Sequence, residues 1–451
     1  MQKNIDLLNG PVLPSLTRLA IPIMATSLIQ MAYNLTDMIW IGRIGSQAVA
    51  AVGAAGMYMW LSNGLAALAK MGGQVNVGHS LGAGHTEEAS EYAANALQMT
   101  ACFGLIYGLI CALFSSPLIH FFHLNSIQVI LDARYYLQIT CGLVIFSFLN
   151  QTFTGIFTAI GNSRAAFSAT TVGLIINIIL DPLLIFGIGP FPELRVIGAA
   201  IATVIAQIIV TLMFLYHAVK DTCIFQNVHI FKRPDIQYLR SILKIGFPTS
   251  VQNMLFTTIS MIIARMVAGY GDAAIAVQKV GSQIESISWM TADGFAAAVN
   301  SFIAQNHGAG KKNRIFSGYR SAMGIVFIWG IFCTVLLIFC PSPIFRIFIT
   351  ESDVIPLGVD YLMILGFSQL FMSVEITTAG AFSGFGKTIP PSVISIIFTV
   401  ARIPLALMLT KTSLGLNGIW WSITISSIFK GVLLLIWFLF FLFFCYNKKQ
   451  R

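Results

Sequence analysis

Charge is what this sequence has least of. Only 10% of its 451 residues are Asp, Glu, Lys or Arg, where a soluble domain carries about a quarter. With 57% hydrophobic residues and a mean hydropathy of +0.82, that scarcity excludes a water-soluble globular domain. Alternating ten-residue segments are missing as well. The apolar runs are continuous, which argues against a transmembrane β-barrel. Cysteine is sparse: seven residues lie scattered, mostly in apolar windows and without a CxxC pair. They read as buried thiols, so no disulfide framework and no thiolate metal site is expected. A cleavable signal peptide is not expected either, because the first apolar segment is long enough to remain as a span. No catalytic triad, metal cluster or hydrolytic carboxylate pair emerges, so the chain does not read as an enzyme.

What is present is a series of long apolar windows. A bilayer crossing takes about 20 mostly apolar residues. Twelve windows qualify: 17–41, 48–70, 92–114, 134–160, 165–188, 197–218, 243–267, 273–303, 317–339, 357–383, 390–410 and 416–446. The expected fold is an all-α polytopic membrane protein. The net charge of +9 is a topology signal rather than a nucleic-acid footprint. With the N-terminus inside, sixteen Lys and Arg fall on cytoplasmic segments, four on external loops and six within spans. The excess of inside positives predicts twelve crossings with both termini cytoplasmic, in a plasma membrane (the inner membrane of a bacterium).

The chain also repeats itself. At a shift of 226 residues Pro22 falls on Pro248, Gly45 on Gly271, LGAG 81–84 on HGAG 307–310, and Pro117 on Pro343. The shift then relaxes: Gly155 and Gly161 match Gly380 and Gly386 at 225, Asp181-Pro182 matches Ile403-Pro404 at 222, and Gly198 matches Gly418 at 220. Six spans are thus followed by six related spans. An even number per unit inserts both copies the same way up, about an axis along the membrane normal. The domains read as an N-terminal six-helix lobe (1–218), a cytoplasmic linker (219–242) and a C-terminal six-helix lobe (243–451). Two pseudo-symmetric lobes around a central cavity suit alternating access.

Five motifs stand in order within this frame: IPIM at the first span, GHSLGAGHTEEA (78–89), NIILDP (177–182), VIGAAIATVIAQ (196–207) and AQNHGAGKKNR (304–314). Together they resemble the multidrug and toxic compound extrusion (MATE) transporters, over essentially the whole chain. The resemblance implies export of organic cations and drugs, driven by inward H+ or Na+. Relatives in the wider superfamily include flippases of lipid-linked oligosaccharides.

An aspartate at mid-bilayer depth costs roughly 2.5–3.5 kcal/mol of insertion free energy, so intramembrane acids are functional candidates. Five lie well inside spans: Asp37, Asp181, Glu285, Asp293 and Glu375. Asp37 and Asp181 stand at similar heights in the outer half of the first lobe. Each has an amide within one turn, Asn34 and Asn177. Thr203 and Gln207 lie on the returning sixth span, and Asn150 and Gln151 on the fourth. Carboxylate, amide and hydroxyl oxygens suit a hard cation, and a carboxylate withdrawn from water holds a proton more tightly. By resemblance, the coupling-ion residues map onto Asp37, Asn150, Asn177, Asp181 and Thr203, with Asn34 added as Asp37's neighbour. Asp37, Asn177 and Asp181 are the ligands expected for Na+. Pro182 should loosen the helix around Asp181. No cofactor is expected beyond the coupling ion, H+ or Na+.

The second copy lacks both carboxylates, since Asp37 maps to Ile263 and Asp181 to Ile403. The ion site should therefore be one-sided. Some family members carry a glutamate on the seventh span, but FPTSVQNMLF (247–256) holds no acid. Glu375 takes the slot of Asn150, and Arg265, Lys279 and Arg402 are the cations available to pair with Glu285 or Glu375. Asp293 reads as lying near the inner surface. Substrate-cavity candidates are Glu375, Glu285, Tyr33, Met59, Trp289 and Gln207, with Tyr58 and Trp60 beside them, because flat cations favour aromatic and Met-rich walls. Expected partners are small organic substrates and the lipid bilayer, with no nucleic acid or nucleotide, and a monomeric state. FSGFGKT (382–388) lacks the first glycine and the preceding strand of a P-loop, and reads as a turn. GLIYG (104–108) reads as close helix packing. Two further readings compete with a drug antiporter. A lipid-oligosaccharide flippase would use a basic cavity; a non-transporting receptor would not require a duplicated pore.

Overall fold

The computed structural model describes residues 4–122, 124, 126–349 and 351–446. Among them all regular structure is helical. The first lobe comprises α1 (Val12–Ile44), α2 (Ser46–Gly82), α3 (Thr86–Leu113), α4 (Ser115–His120), α5 (Ile127–Thr140), α6 (Ile145–Ala159), α7 (Ser163–Phe186) and α8 (Arg195–Lys220). The second comprises α9 (Ile236–Ala268), α10 (Asp272–Gly308), α11 (Lys312–Phe339), α12 (Pro341–Arg346), α13 (Ile355–Gly366), α14 (Gln369–Gly384), α15 (Ile389–Leu409) and α16 (Leu416–Phe440).

Eight helices are each long and apolar enough to cross a bilayer, and the bent pairs α5–α6 and α13–α14 raise that to ten. The 37-residue helices α2 and α10 complete the twelve, although composition alone does not qualify them. Their position explains why. α2 packs on α3, α5, α6, α9 and α10, while α10 packs on α1, α2, α11 and α14. Helices enclosed by protein meet little lipid, and small or polar residues let them approach closely.

Three sequence expectations change. The windows 134–160 and 357–383 are broken spans, bent by 45° and 46° at equivalent places in the two lobes. Gly142 sits in the first break, where a Cβ would stand 2.0 Å from the Gln138 carbonyl oxygen. Helix α7, in contrast, continues through Pro182 to Phe186. Proline removes one N–H there, and the flanking helices α1 and α8 hold the rest of the helix in place. Not every thiol is buried, either: Cys102 and Cys340 are exposed, while Cys111, Cys141 and Cys333 are buried.

The packing repeats between lobes: α1 on α7 mirrors α9 on α15, and α2 on α6 mirrors α10 on α14. Across the lobes α2 meets α9 as α10 meets α1, and α2 and α10 meet each other. This last contact lies at their C-terminal ends. A Cβ on Gly82 would stand 1.9 Å from the Gln305 carbonyl oxygen, and one on Gly308 would stand 2.0 Å from that of His79. These are equivalent contacts under the 226-residue shift, so the pseudo-twofold axis passes through this seam. Gln74 Nε2 donates to Ser301 Oγ at 3.0 Å just above it. At the opposite end of α2, a Cβ on Gly45, Gly53 or Gly56 would meet nothing within 4 Å. The lobes thus close at the Gly82–Gly308 end. The N-terminal strap ties the closed end: Ile5 N–H donates to the Gly161 carbonyl of the first lobe, and the Leu7 carbonyl accepts from Asn306 and Arg314 of the second.

Candidate functional site

Asn177 and Asp181 lie one turn apart on α7, both fully buried. The amide of Asn177 donates to Asp181 Oδ1 at 3.0 Å. That leaves Asn177 Oδ1 and Asp181 Oδ2 buried without a partner. Tyr33 Oη, Asp37 Oδ1 and Thr203 Oγ1 are in the same condition. These five oxygens come from α1, α7 and α8, which pack on one another. Asp37 and Asp181 are within electrostatic reach of each other and of Tyr33. The Tyr33 hydroxyl lies beside Thr203 and Gln207 without completing a hydrogen bond. Leaving a buried polar atom unpaired costs about 1–3 kcal/mol. Several such oxygens gathered in one place form a set of hard donors that a proton or a small hard cation would satisfy.

The structure sorts the sequence candidates. Asp37, Asn177, Asp181 and Thr203 contribute to the cluster. Asn34 does not, for its side chain is exposed. Its place is taken by Tyr33, four residues before Asp37 and about 40° from it around the helix at 3.6 residues per turn. Asn34 lies about 60° away on the other side. Asn150 is fully engaged with α8: its Nδ2 donates to the Gln207 carbonyl and to Gln207 Oε1 at 3.0 and 2.9 Å, and its Oδ1 accepts from Thr211 Oγ1 at 2.8 Å. Asn150 therefore positions Gln207 beside Tyr33, with both its amide nitrogen and its amide oxygen already hydrogen-bonded to α8. Met59 packs with Tyr107, Val144 and Phe148, and the Tyr58 hydroxyl donates to the Leu118 carbonyl, so both belong to the first lobe's apolar packing.

The second lobe carries a different cluster. Lys430 Nζ of α16 pairs with Glu375 Oε2 of α14 at 3.1 Å, both nearly buried. Arg402 of α15 is also buried, and its guanidinium donates to Ser426 and Ser427. Glu285 accepts from the Tyr361 hydroxyl at 3.0 Å and from Gln369 Nε2 at 3.3 Å. The expectation that Arg265, Lys279 or Arg402 pairs directly with these acids is corrected. Arg265 and Lys279 are exposed, and Arg402 reaches the two acids only through the field. Lys430 is the residue that sequence reasoning missed. Its signal was available, since a lone lysine deep in an apolar span calls for a carboxylate partner.

Trp289 and Asp293, one turn apart on α10, are both exposed, on the face that continues down to the Gln74–Ser301 contact. Asp293 is within electrostatic reach of Lys70 on α2 and makes no direct ion pair with it among the described residues. The side chain of Lys70 lies over Gly155 of α6. Asp293 is therefore placed above the closed seam between the lobes.

A family model, MatE, matches residues 22–183 and again residues 248–408, once in each repeat. The chain belongs to the MatE family. Among its relatives is the "Probable multidrug resistance protein NorM" of Thermotoga maritima, 29% identical over 94% of this chain and 91% of that one. Another is the "FAD transporter" of Shewanella oneidensis, 24% identical over 100% and 97% of the two chains. A solved structure described as the outward-facing conformation of a multidrug resistance MATE family transporter superposes with a TM-score of 0.89, at 22% identity and covering 98% of each chain. This MatE protein is accordingly a multi-pass membrane transporter with the two-lobe, twelve-span fold.

Proposed function

We propose that this MatE protein is a secondary active exporter of organic cations and drugs, exchanging them for H+ or Na+ by alternating access. The observation that supports this most directly is the one-sided set of unpaired buried oxygens on Tyr33, Asp37, Asn177, Asp181 and Thr203. A group that is costly to leave empty and stabilised by a proton or Na+ can bias the lobes between two arrangements, provided affinity differs between them. The equivalents of Asp37 and Asp181 are isoleucines, so the second lobe is free to handle substrate. The proposed orientation places both termini and the Gly82–Gly308 seam on the cytoplasmic side, leaving the cleft open outward. The monomer is taken as the working unit. Efflux from proteoliposomes, with a pH gradient and a Na+ gradient imposed separately, tests the reading. Transport that one gradient drives and its collapse abolishes is expected; transport indifferent to both would overturn it.

A second reading has an observation of its own. Arg402 and Lys430 bring two buried cations into the second lobe, and one relative is named for carrying FAD, an organic anion. Export of an anionic substrate, or flipping of an anionic lipid-linked one, would use them. Competition by organic anions in the same liposomes separates the two readings.

A further inference from the structure

The two lobes differ most plainly on an outer face near the strap end. In the first lobe, α3 and α8 flank a groove, and the segment after α8 lies over it. Ser90 Oγ donates to the Ile224 carbonyl at 2.8 Å, Gln98 Nε2 to the carbonyls of Ile230 and Lys232 at 2.6 Å, and Glu91 pairs with Lys232. Phe225 stacks on Phe157 at 4.9 Å, and only a small gap of about 130 Å³ remains among Leu97, Leu215, Val219, Phe225 and Ile230.

In the second lobe the equivalent helices are α11 and α16; the continuation of α16 reaches Phe443, whose ring meets Phe316 at 6.4 Å, and no linker segment among the described residues lies over the rest of the groove. A groove of about 870 Å³ stands open there, lined by Phe316, Tyr319, Arg320, Met323, Phe327 and Leu439, among others. Under the repeat shifts Phe316, Met323 and Leu439 are the counterparts of Ser90, Leu97 and Val219. Gly324 replaces Gln98, one of the residues that hold the linker, and Phe316 and Ser317 replace Ser90 and Glu91, so these anchors for a covering segment are gone. Arg320 replaces Ala94; it is exposed and makes no ion pair among the described residues. Neither α11 nor α16 contains an acidic residue. The chain beyond Tyr446 carries Lys448, Lys449 and Arg451, all of the same sign as Arg320.

We infer that this groove is a binding site for an anionic phospholipid, one acyl chain lying between α11 and α16 and the phosphate on Arg320. The chemistry matches at both ends. Arg320 stands eight residues into α11, about 12 Å from its start, and the apolar walls continue deeper to Phe327 and Ile328. A guanidinium presents a fork of donors to phosphate oxygens, and basic side chains at this depth attract anionic lipid. Assignment to the cytoplasmic leaflet rests on the orientation proposed above; the binding itself does not.

The test is native mass spectrometry of the purified full chain, titrated with phosphatidylglycerol or with phosphatidylcholine of the same acyl chains. The wild type should retain phosphatidylglycerol preferentially. Arg320→Gln, at an exposed site, should reduce that preference about fivefold, the worth of one basic side chain at an anionic surface. Gly324→Leu should reduce uptake of both lipids. A Cβ there meets no protein atom within 4 Å, so the added side chain fills the groove without straining the fold. Equal retention of the two lipids by the wild type, or unchanged retention in both variants, would overturn the inference. So would increased uptake after truncation beyond Tyr446, which would make the tail the occupant. A wild-type dimer that Gly324→Leu splits would instead make the occupant a second copy. Labelling of a cysteine at position 313 from outside intact cells would overturn the leaflet assignment and leave the binding standing.

Discussion

Replacing Gly308 by alanine should open the seam that holds the lobes closed at one end. The new Cβ would stand 2.0 Å from the His79 carbonyl oxygen. A relaxed carbon–oxygen contact needs about 3.3 Å, so the two helices must part by about 1.3 Å. The obstructing atoms, the His79 carbonyl and the Ala83 nitrogen, are all backbone, and no side-chain rotation relieves them. Gly308 does not have a positive φ, so alanine adds no backbone strain of its own. Overpacking of this kind costs about 1–3 kcal/mol. Only the seam-closed arrangement bears that cost, which shifts the balance between arrangements by roughly 5- to 150-fold toward the seam-open one. Spin labels on cysteines at Glu87 and Asn313, equivalent exposed positions of the two lobes, report the separation. Gly308→Ala should add a longer-distance population, and the Gly82→Ala, Gly308→Ala pair should enlarge it. Gly324→Ala, whose Cβ meets nothing within 4 Å, should leave the distribution unchanged. An unaltered distance distribution in folded Gly308→Ala protein would refute the claim that this contact sets the closed state.

Two further outcomes follow from the clusters. Lys430→Met and Glu375→Gln should each destabilise the protein by about 3–5 kcal/mol, because each strands one charge in a buried site. The double variant should recover most of that loss in thermal unfolding, and purely additive losses would show that the pair does not act as a unit. Asp181→Asn should abolish gradient-driven efflux with little effect on unfolding, since an amide keeps the shape and lowers the insertion cost. Ile403→Ala at the equivalent second-lobe position should cost far less transport; equal loss in both would sink the one-sided ion site.

The sequence by itself determined the membrane class, the duplication and the intramembrane acids. Each follows from a local property: a run of apolar residues must cross lipid, a repeated pattern must repeat a fold, and a carboxylate in such a run must have a use. Asn177 and Asp181 were legible as a pair because helical spacing alone puts them on one face. Tertiary structure decided the rest. Tyr33 displaces Asn34 because its side of α1 meets Thr203 and Gln207 of α8, while Asn34 is exposed. Lys430 reaches Glu375 because α14 and α16 are neighbours, a fact no spacing within either helix encodes. Asn150 turned from ligand to support because Gln207 and Thr211 of α8 take up its amide. The same holds for the two outer grooves, one covered and one open. The substitution of Gln98 by Gly324 is visible in the repeat, but its meaning appears only where the linker folds back to meet one and not the other. Periodicity fixes which face a residue occupies; the neighbour that face will meet is set by how distant helices pack.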